Sequence, residues 1–306
     1  MSSAADPARR VLVTGLTGFT GRYLQPLLIA AGSHVHGLVH RAEEDDAASS
    51  AALHVADLAD RERLAEVVSL VRPTHVVHLA AVAFVAHGDV RAMYETNLLG
   101  SRNLLEALAG APTRPQLVLM ASSANIYGNA HEGVLDESLP PAPANDYGVS
   151  KLAVEALSRT YSDRLPITLV RPFNYTGRGQ AENFLIPKIV AHARAGATRI
   201  ELGNLDVARD FSDVRTVVDA YARLLDRPDL AGSTFNVCSG KAVSLREVVD
   251  AVVAITGQPM EMVVNPAFVR ANEVRTLSGS AARLEAAIGP LKSIPLAETL
   301  RWMLED

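Results

Sequence analysis

The first half of the chain alternates between two hydrophobic patterns. Short runs rich in valine, leucine and isoleucine predict buried strands at 10–14, 34–39, 75–79, 117–121 and 167–171. Between them, apolar residues that recur every three or four positions predict helices at 21–31, 61–71, 90–108 and 147–164. Strands separated by helices pair in parallel through right-handed crossovers. The predicted fold class is therefore α/β, with a doubly wound parallel sheet of the Rossmann type.

This alternation ends after residue 172. Loops that contain glycine, asparagine and arginine occupy 174–180, 203–210 and 266–279. The sequence has no internal repeat, and no linker rich in proline, glycine or serine joins the two halves. We therefore expect residues 1–172 to form the first domain. Residues 173–306 are expected to form mainly a smaller C-terminal lobe, with some segments that return to the first domain.

Composition and charge exclude several classes of protein. The chain has 306 residues, of which 48% are apolar and 21% charged, with a net charge of −5. Such a composition excludes a disordered chain and disfavours a broad nucleic-acid-binding surface. Cys238 is the single cysteine, which excludes an internal disulfide and a four-thiolate metal site, so no metal site is predicted. Because residues 1–10 do not read as a signal peptide and no long apolar run occurs, we expect a cytoplasmic protein without a membrane partner.

A glycine-rich turn follows the first predicted strand and contains Gly15, Thr17, Gly18, Phe19 and Gly21. Three glycines at this spacing allow a tight turn and a close approach of backbone N–H groups to a pyrophosphate. The helix dipole that begins there also favours an anion. The alternative is a tight turn without a ligand. Its place between the first strand and the first helix predicts a dinucleotide-binding domain.

The ends of the next strands predict the remaining cofactor contacts. An acidic residue after the second strand would hold the ribose of NAD, whereas Arg41 stands there and can pair with the extra phosphate of NADP. This favours NADP as cofactor and leaves NAD possible, with an ordinary surface arginine as the alternative. Asp57 and Leu58 are predicted to receive the adenine, and Ala80 and Ala81 to run beneath the cofactor.

Tyr147 and Lys151 open the predicted helix at 147–164 and share one of its faces. The pKa of a free tyrosine is near 10, and a neighbouring ammonium group lowers it toward neutrality. Such a tyrosine can exchange a proton with a substrate. Ser123 follows the strand at 117–121, so its hydroxyl is expected at the same edge of the sheet. The alternative for this serine is a loop or helix-cap hydrogen bond.

These positions resemble the extended short-chain dehydrogenase/reductase family, which includes nucleotide-sugar epimerases, dehydratases and reductases. The residues that carry the likeness are Gly15, Gly18, Gly21, Ser123, Tyr147 and Lys151. Segments 171–177, 184–189, 203–210 and 270–274 further resemble the branch of GDP-mannose 4,6-dehydratases and GDP-4-dehydro-6-deoxy-mannose reductases. The likeness covers almost the whole chain.

The resemblance implies further contacts with the cofactor and with a GDP-linked sugar. It places Asn97 near the active-site helix and the cofactor, Asn174 near the sugar and phosphates, Arg209 and Arg270 on the diphosphate or nucleoside, Glu273 on the ribose and Lys188 at the nucleotide end of the cleft. It also implies a homodimer formed through the helices at 90–108 and 147–164.

One departure from the family pattern concerns the reaction type. The dehydratases carry a glutamate two residues before the tyrosine that corresponds to Tyr127, and this chain has Asn125 there. An amide cannot exchange the proton that elimination of water requires at neutral pH. We therefore expect ketone reduction or epimerisation, with Ser123 and Asn125 contacting the sugar.

The resemblance thus implies a reductase that transfers hydride from NADPH to the C4 ketone of GDP-4-dehydro-6-deoxy-D-mannose and forms GDP-D-rhamnose. In this hypothesis Tyr147 supplies the proton, Ser123 polarises the carbonyl, and Lys151 tunes Tyr147 and holds the nicotinamide ribose. The alternatives are a nucleotide-sugar 4-epimerase and a reductase that forms GDP-6-deoxy-D-talose. A non-catalytic dinucleotide sensor is disfavoured because all three side chains are present.

Overall fold

The computed structural model describes residues 9–41, 51–83, 89–269 and 274–305. Within these residues, the chain divides into two compact units. The first unit comprises Met1–Ile126, Pro143–Arg171 and Val218–Phe235, and the second comprises Tyr127–Ala142, Pro172–Val217 and Asn236–Asp306. Segment 127–142 precedes the predicted boundary at 172 but belongs to the second unit. Segment 218–235 follows that boundary but belongs to the first unit, so the chain crosses between the units several times.

The strands and helices of the described residues are as follows. The strands are β1 Arg10–Thr14, β2 His34–Val39, β3 Ala52–Val55, β4 His75–His78, β5 Leu117–Ala121, β6 Gly133–Leu135, β7 Ile167–Pro172, β8 Asn174–Thr176, β9 Arg199–Leu202, β10 Ala208–Asp213, β11 Thr234–Val237, β12 Ala242–Ser244, β13 Glu261–Val264 and β14 Thr276–Gly279. The helices are α1 Phe19–Ala30, α2 Arg61–Val71, α3 Val90–Tyr94, α4 Ser101–Ala109, α5 Asp146–Arg159, α6 Leu185–Arg194, α7 Val214–Leu224, α8 Leu245–Thr256, α9 Ala282–Ile288 and α10 Leu296–Leu304.

A seven-stranded sheet in the order β11-β7-β5-β4-β1-β2-β3 forms the centre of the first unit. Its neighbours pair in parallel, as in Leu12 with Val76 and Leu12 with His36. Side chains alternate between the two faces of a strand. On one face, the apolar side chains of α2, α4 and α5 pack against Leu12, Val76 and Val118 in a continuous core. The parallel α/β prediction is confirmed, and the carboxyl ends of β1, β4 and β5 meet at one edge of this sheet.

The predicted helix at 90–108 is interrupted by a π-helical segment, Glu95–Gly100, between α3 and α4. A Cβ atom on Gly100 would lie 2.7 Å from the Cβ of Leu58, so the wider turn brings backbone close to that side chain. Inside the segment, Asn97 accepts a hydrogen bond from the Val82 N–H and donates to the Val82 carbonyl. One π turn leaves the apolar pattern of the helix almost unchanged, which is why the pattern predicts an uninterrupted helix.

The second unit contains shorter strands. A five-stranded sheet has the order β12-β10-β14-β6, with β8 paired to β10, and β9 pairs with β13 in a separate ribbon. Helices α6, α8 and α10 contribute to its core, in which Ile189, Val248 and Leu300 are buried. Strands such as β8 and β10, with the sequences NYT and ARDFSD, lack the continuous apolar run that marks the strands of the first unit, which explains why they were not predicted.

None of the helices in the described residues combines the length and the apolar character that crossing a lipid bilayer requires. The longest, α5, has 14 residues.

His78 is a deeply buried titratable side chain at the carboxyl edge of the first sheet. Its Nδ1 lies 2.7 Å from Thr14 Oγ1 and its Nε2 lies 2.9 Å from Ser101 Oγ. Ser101 donates its own proton to the Asn97 carbonyl, so the imidazole donates through Nε2 and accepts at Nδ1. Burial, reinforced by the charge of Lys151, lowers the pKa of His78 to about 3. The fold therefore requires a neutral imidazole here.

We expect His78 to make the first unit sensitive to acid. Because the folded pKa of about 3 lies below the ordinary value of 6.5, its stability contribution is complete above pH 6.5 and declines as the pH falls toward 3. The slope attributable to one proton is about 1.4 kcal/mol per pH unit. His78→Gln keeps a neutral donor and acceptor and is expected to flatten this slope in urea unfolding measured from pH 7 to pH 4. Parallel curves for the two proteins would contradict the prediction.

Candidate active site

The glycine turn joins β1 to α1 at the carboxyl edge of the first sheet. Gly15 has a positive φ of 71°, and a Cβ atom there would lie 3.0 Å from the backbone N of Ala80. At Gly21 a Cβ atom would lie 2.2 Å from the Leu16 carbonyl oxygen, so only glycine fits. Gly18 is exposed, and a Cβ atom there would approach only the Gly15 carbonyl oxygen within 4 Å. Gly15 and Gly21 are thus required by the backbone of the turn, whereas Gly18 leaves the solvent-exposed side of the turn without a side chain.

The amino terminus of α1 is suited to an anion. Asp60, Asn145 and Ser244 cap helices α2, α5 and α8 with their side chains. Helix α1 begins after Gly18, no side chain of the described residues caps it, and its first turn contains no acid. Uncapped N–H groups and the positive end of a helix dipole bind phosphates. With half-buried Thr17 and Phe19 in the same turn, these residues fit the pyrophosphate of a dinucleotide.

The predicted nucleoside contacts differ in how accessible they are. Arg41 is exposed two residues after the end of β2, as the predicted phosphate contact requires. Asp57 is exposed after β3, and its Oδ2 lies 3.3 Å from His40 Nδ1. Leu58, by contrast, is buried in the core of the first unit, and its carbonyl accepts a hydrogen bond from Asn103. Its side chain therefore packs against the protein, and only its backbone is available for the predicted adenine contact.

A chain of buried hydrogen bonds connects the glycine turn to α5. Half-buried Ala80 and Ala81 follow β4, and the Ala80 N–H donates to Thr14 Oγ1. From Thr14, hydrogen bonds continue through His78 and Ser101 to the Asn97 carbonyl, as described above. The Asn97 amide then lies 3.1 Å from Ser150 Oγ, and Ser150 donates to the Tyr147 carbonyl. The structure thus brings the predicted residue Asn97 to the active-site helix through groups that the sequence analysis had not singled out.

Lys151 is the central charge of the site. Its side chain is 5% exposed, and its Nζ donates to the Ala121 carbonyl at the end of β5, at 2.9 Å. Burial lowers the pKa of this ammonium to about 8. The same Nζ lies 5.8 Å from the centre of the Tyr147 ring, one helical turn earlier. Tyr147 is half-buried, so the lysine charge is in position to favour its phenolate.

Ser123 lies two residues after Ala121, in the loop that follows β5. Its Oγ accepts hydrogen bonds from the backbone N–H and the side-chain amide of Asn125, at 3.1 and 3.0 Å. The same loop is held from the helix side, because a Cβ atom on Gly148 would lie 2.6 Å from the Asn125 carbonyl oxygen. The first unit therefore brings Ser123, Asn125, Tyr147 and Lys151 to the same edge of the sheet.

Three buried residues behind this site were not predicted. Glu155 follows Lys151 by one helical turn and accepts hydrogen bonds from Arg171 and from Ser122, the neighbour of Ser123. A signal was present in the sequence, since Tyr147, Lys151 and Glu155 recur at intervals of four residues on one helix face. The partner on β7 is 16 positions away and belongs to a different element, so the pairing itself is visible only in the fold.

The second unit holds two of the predicted nucleotide-sugar contacts beside Asp210. The Asn174 side chain donates to the Asp210 carbonyl, and Arg209 precedes Asp210 in β10. The Asp210 carboxylate is buried and accepts hydrogen bonds from Ser239 and from the backbone N–H groups of Gly240 and Gly279. Its role is to hold these loops around the strand that carries Arg209.

The other predicted contacts of the second unit have different outcomes. Lys188 on α6 donates to the Glu201 carbonyl at 3.1 Å, and its Nζ lies 4.6 Å from the centre of the Phe268 ring. It is half-buried, so part of its ammonium group remains accessible. Arg270 and Glu273 lie outside the described residues. Their predicted contacts with the nucleotide stay predictions.

We expect the buried charge of Lys151 to lower the free energy of unfolding of the protein. Its folded pKa of about 8 lies below the ordinary 10.5, so the buried ammonium opposes folding below pH 8, and this cost disappears as the pH rises to 10.5. Lys151→Met should therefore raise the free energy of unfolding at pH 7 by about 1–3 kcal/mol, after allowing for the lost hydrogen bond to Ala121. The gain should vanish by pH 10.5. Turnover should fall sharply because Tyr147 loses its neighbouring charge.

Lys241→Met is the matched control, because Lys241 is exposed. It should change the free energy of unfolding by less than about 0.5 kcal/mol. A Lys151→Met protein that is less stable than the wild type at pH 7 would contradict the assignment of a buried charge.

The chain is similar to known proteins along almost its whole length. The NAD dependent epimerase/dehydratase family matches residues 11–238. The chain is 36% identical to GDP-6-deoxy-D-mannose reductase of Pseudomonas aeruginosa, over 97% of each chain. It is 33% identical to GDP-6-deoxy-D-talose 4-dehydrogenase of Aggregatibacter actinomycetemcomitans, over 92% of this chain and 91% of that one.

A solved structure gives the same result for the fold. The structure of RMD from Pseudomonas aeruginosa complexed with NADPH matches with a TM-score of 0.84 at 35% identity, over 97% of this chain and 98% of that one. The predicted Rossmann-type fold and nicotinamide dinucleotide cofactor are thereby confirmed. The chain belongs to the NAD dependent epimerase/dehydratase family.

Proposed function

We propose that this enzyme uses NADPH to reduce the C4 ketone of GDP-4-dehydro-6-deoxy-D-mannose and forms GDP-D-rhamnose. The observation that carries the proposal is the amide of Asn125, which donates to Ser123 Oγ at the position where an eliminating enzyme would need an acid. The similarity to a GDP-6-deoxy-D-mannose reductase supports the same substrate class.

Ser123 is proposed to polarise the ketone. Its Oγ already accepts two hydrogen bonds from Asn125, so its lone pairs are used. Its single O–H is therefore left to donate to a substrate oxygen. The side chain is 5% exposed, and the low polarity around it strengthens such a hydrogen bond.

Tyr147 is proposed as the proton donor. When bound, NADPH supplies the hydride that C4 receives. The ketone oxygen then takes a proton from the Tyr147 hydroxyl, which completes the conversion of the ketone to an alcohol. The Lys151 ammonium stabilises the phenolate that remains, because it lies 5.8 Å from the ring centre. Its hydrogen bond to the Ala121 carbonyl fixes it in this position.

Asn125 argues against a dehydratase. Elimination of water across C5 and C6 needs a group that removes the C5 proton and another that protonates the leaving hydroxyl. The Asn125 amide does neither at neutral pH, and its N–H groups are directed to Ser123. We therefore propose that the 4-keto sugar is a substrate that an earlier dehydration must supply.

The remaining contacts are proposals of the same kind. Arg41 is proposed to bind the 2′-phosphate of NADPH, and Asn174, Lys188 and Arg209 to bind the GDP part of the substrate. Their charges and amides suit phosphate and base groups in a chain whose net charge is −5. The lone cysteine is consistent with a reducing compartment, so the cytoplasm is the proposed location.

A homodimer is proposed through the helices at 90–109 and 146–159. The evidence is two exposed apolar side chains, Leu99 at 52% and Val149 at 40% exposure, one on each of these segments. A dimer formed through these helices would cover both side chains and remove their apolar surface from water.

Two other products are compatible with this machinery. A 4-epimerase would use the same proton exchange and consume no cofactor overall. A reductase that delivers hydride to the other face of the ketone would form GDP-6-deoxy-D-talose. This alternative is supported by the similarity to a relative named GDP-6-deoxy-D-talose 4-dehydrogenase.

The test is incubation of the purified protein with GDP-4-dehydro-6-deoxy-D-mannose and 4-deuterated NADPH. We expect one NADPH to be oxidised for each product formed, with deuterium at C4 and the rhamno configuration by NMR. Tyr147→Phe should lower turnover by about 100-fold or more and leave the NADPH dissociation constant within a few fold. Product without net loss of NADPH would establish the epimerase, a talo configuration the second reductase, and conversion of GDP-mannose itself a dehydratase.

The cofactor preference has a separate test. Arg41→Ala should weaken NADPH binding by about tenfold or more, because a charge-assisted hydrogen bond to a phosphate is lost, and should leave NADH binding nearly unchanged. Arg114→Ala removes an exposed arginine before β5, at the opposite edge of the sheet, and serves as the control. Equal losses for NADPH and NADH in Arg41→Ala would refute the proposed contact.

A further inference from the structure

An ion pair is completely buried behind the proposed active site. The Glu155 carboxylate is 0% exposed and Arg171 is 3% exposed. Two hydrogen bonds join them, from Arg171 Nε at 2.9 Å and from its second terminal nitrogen at 2.8 Å. Ser122 Oγ donates a third hydrogen bond to the same carboxylate, at 2.7 Å. We refer to Ser122, Glu155 and Arg171 as the Glu155 cluster.

Stability alone is a poor explanation for this cluster. Two charges lose their hydration when they are buried, and well-packed apolar side chains of similar size often stabilise a protein equally well or better. The surroundings are already apolar, since Val154 beside Glu155 and Leu169 on β7 belong to the core of the first unit. We therefore look for the role of this ion pair in the helix and strands that its hydrogen bonds join.

The cluster touches each element that carries a proposed catalytic group. Glu155 lies on α5, one helical turn after Lys151 and two turns after Tyr147. Ser122 immediately precedes Ser123. Arg171 follows Val170, which pairs with Ala121, the residue whose carbonyl accepts the lysine hydrogen bond. Helix α5 is thus tied to the ends of β5 and β7 by directional bonds.

We infer that Glu155 is a positioning residue. It fixes the rotation of α5 about its axis and its position along that axis, so that Tyr147 and Lys151 lie beside Ser123. Apolar packing alone resists sliding and rotation of a helix weakly, whereas three hydrogen bonds to one carboxylate define a single arrangement. A displacement of about 1 Å at a reacting group can reduce turnover by about 100-fold. The inference rests on the proposed function in taking Tyr147 as the proton donor.

The ion pair of the Glu155 cluster adds no net charge to the surroundings of Lys151, because Glu155 and Arg171 carry opposite charges. The Lys151 ammonium lies near the Tyr147 ring and its charge acts on His78 of β4, while Glu155 lies one turn along the same face of α5. His78 is neutral, and Glu155 is matched by Arg171. Removal of one partner leaves the other charge in place. Glu155→Gln should then lower the pKa of Lys151, and Arg171→Met should raise it.

The experiment compares these two variants with a control on the same carboxylate. Arg159 also approaches Glu155, at 3.5 Å, but its side chain is 61% exposed, so Arg159→Met should behave like the wild type. In Glu155→Gln and Arg171→Met we expect kcat for NADPH-dependent reduction to fall by about 10- to 100-fold per folded molecule. The NADPH dissociation constant should stay within a few fold.

A double variant guards against unfolding of the single ones. Glu155→Leu combined with Arg171→Met replaces the ion pair by apolar side chains and should retain the thermal midpoint of the wild type. It should nevertheless show the reduced kcat. A stable double variant with the kcat of the wild type would show that the pair serves only the packing, and would overturn the inference.

A readout without substrate separates this inference from the proposed function. The chain contains only four lysines, so the Lys151 ammonium can be titrated by NMR in lysine-labelled protein and identified with Lys151→Met. Opposite shifts of its pKa in Glu155→Gln and Arg171→Met support the inference even if the sugar tested is not reduced. Unchanged titration in both variants overturns it, whatever the substrate proves to be.

Discussion

The burial of one ammonium group is the constraint on which the active site depends. Lys151 keeps its charge below pH 8 although almost none of its side chain reaches solvent. A buried cation needs fixed partners, and the nearest is the Ala121 carbonyl at the end of a central parallel strand. That requirement determines where α5 lies on the sheet. The positions of Tyr147 and of the loop that carries Ser123 follow from it.

The polar interior of the first unit is organised around the same edge. On one side of Lys151, hydrogen bonds run from the glycine turn through Thr14, His78 and Ser101 to Asn97. On the other side, the Glu155 cluster joins α5 to β5 and β7. Polar networks of this kind are costly unless every member is satisfied, and when satisfied they define one arrangement. The apolar core supports the sheet, while the polar groups determine how its edge is arranged.

Much of this was readable from the sequence, for physical reasons. Strands such as β1, β2 and β5 are short, mainly apolar and bounded by turns, so their limits agree with prediction. Tyr147 and Lys151 are recognisable because their interaction is local to one helix. Strand β3 was missed because its residues are half-buried or exposed and lack a clear apolar run. The burial of the Leu58 side chain was not readable either, since a strand-end position gave no sign that it faces the core, and its adenine contact stays a prediction.

The close contact between Gly148 and the Asn125 carbonyl separates the role of the loop backbone from that of the Asn125 side chain. The helix fixes the backbone of the serine loop from below, while the Asn125 side chain is exposed on its outer side. In the proposed reaction, a substitution at 125 would therefore change the groups offered to the sugar without displacing the main chain that carries Ser123. A substitution at 148 would displace that main chain whatever stands at 125. The proposed reaction type thus depends on the side chain at 125, whereas the path of the loop depends on a glycine at 148.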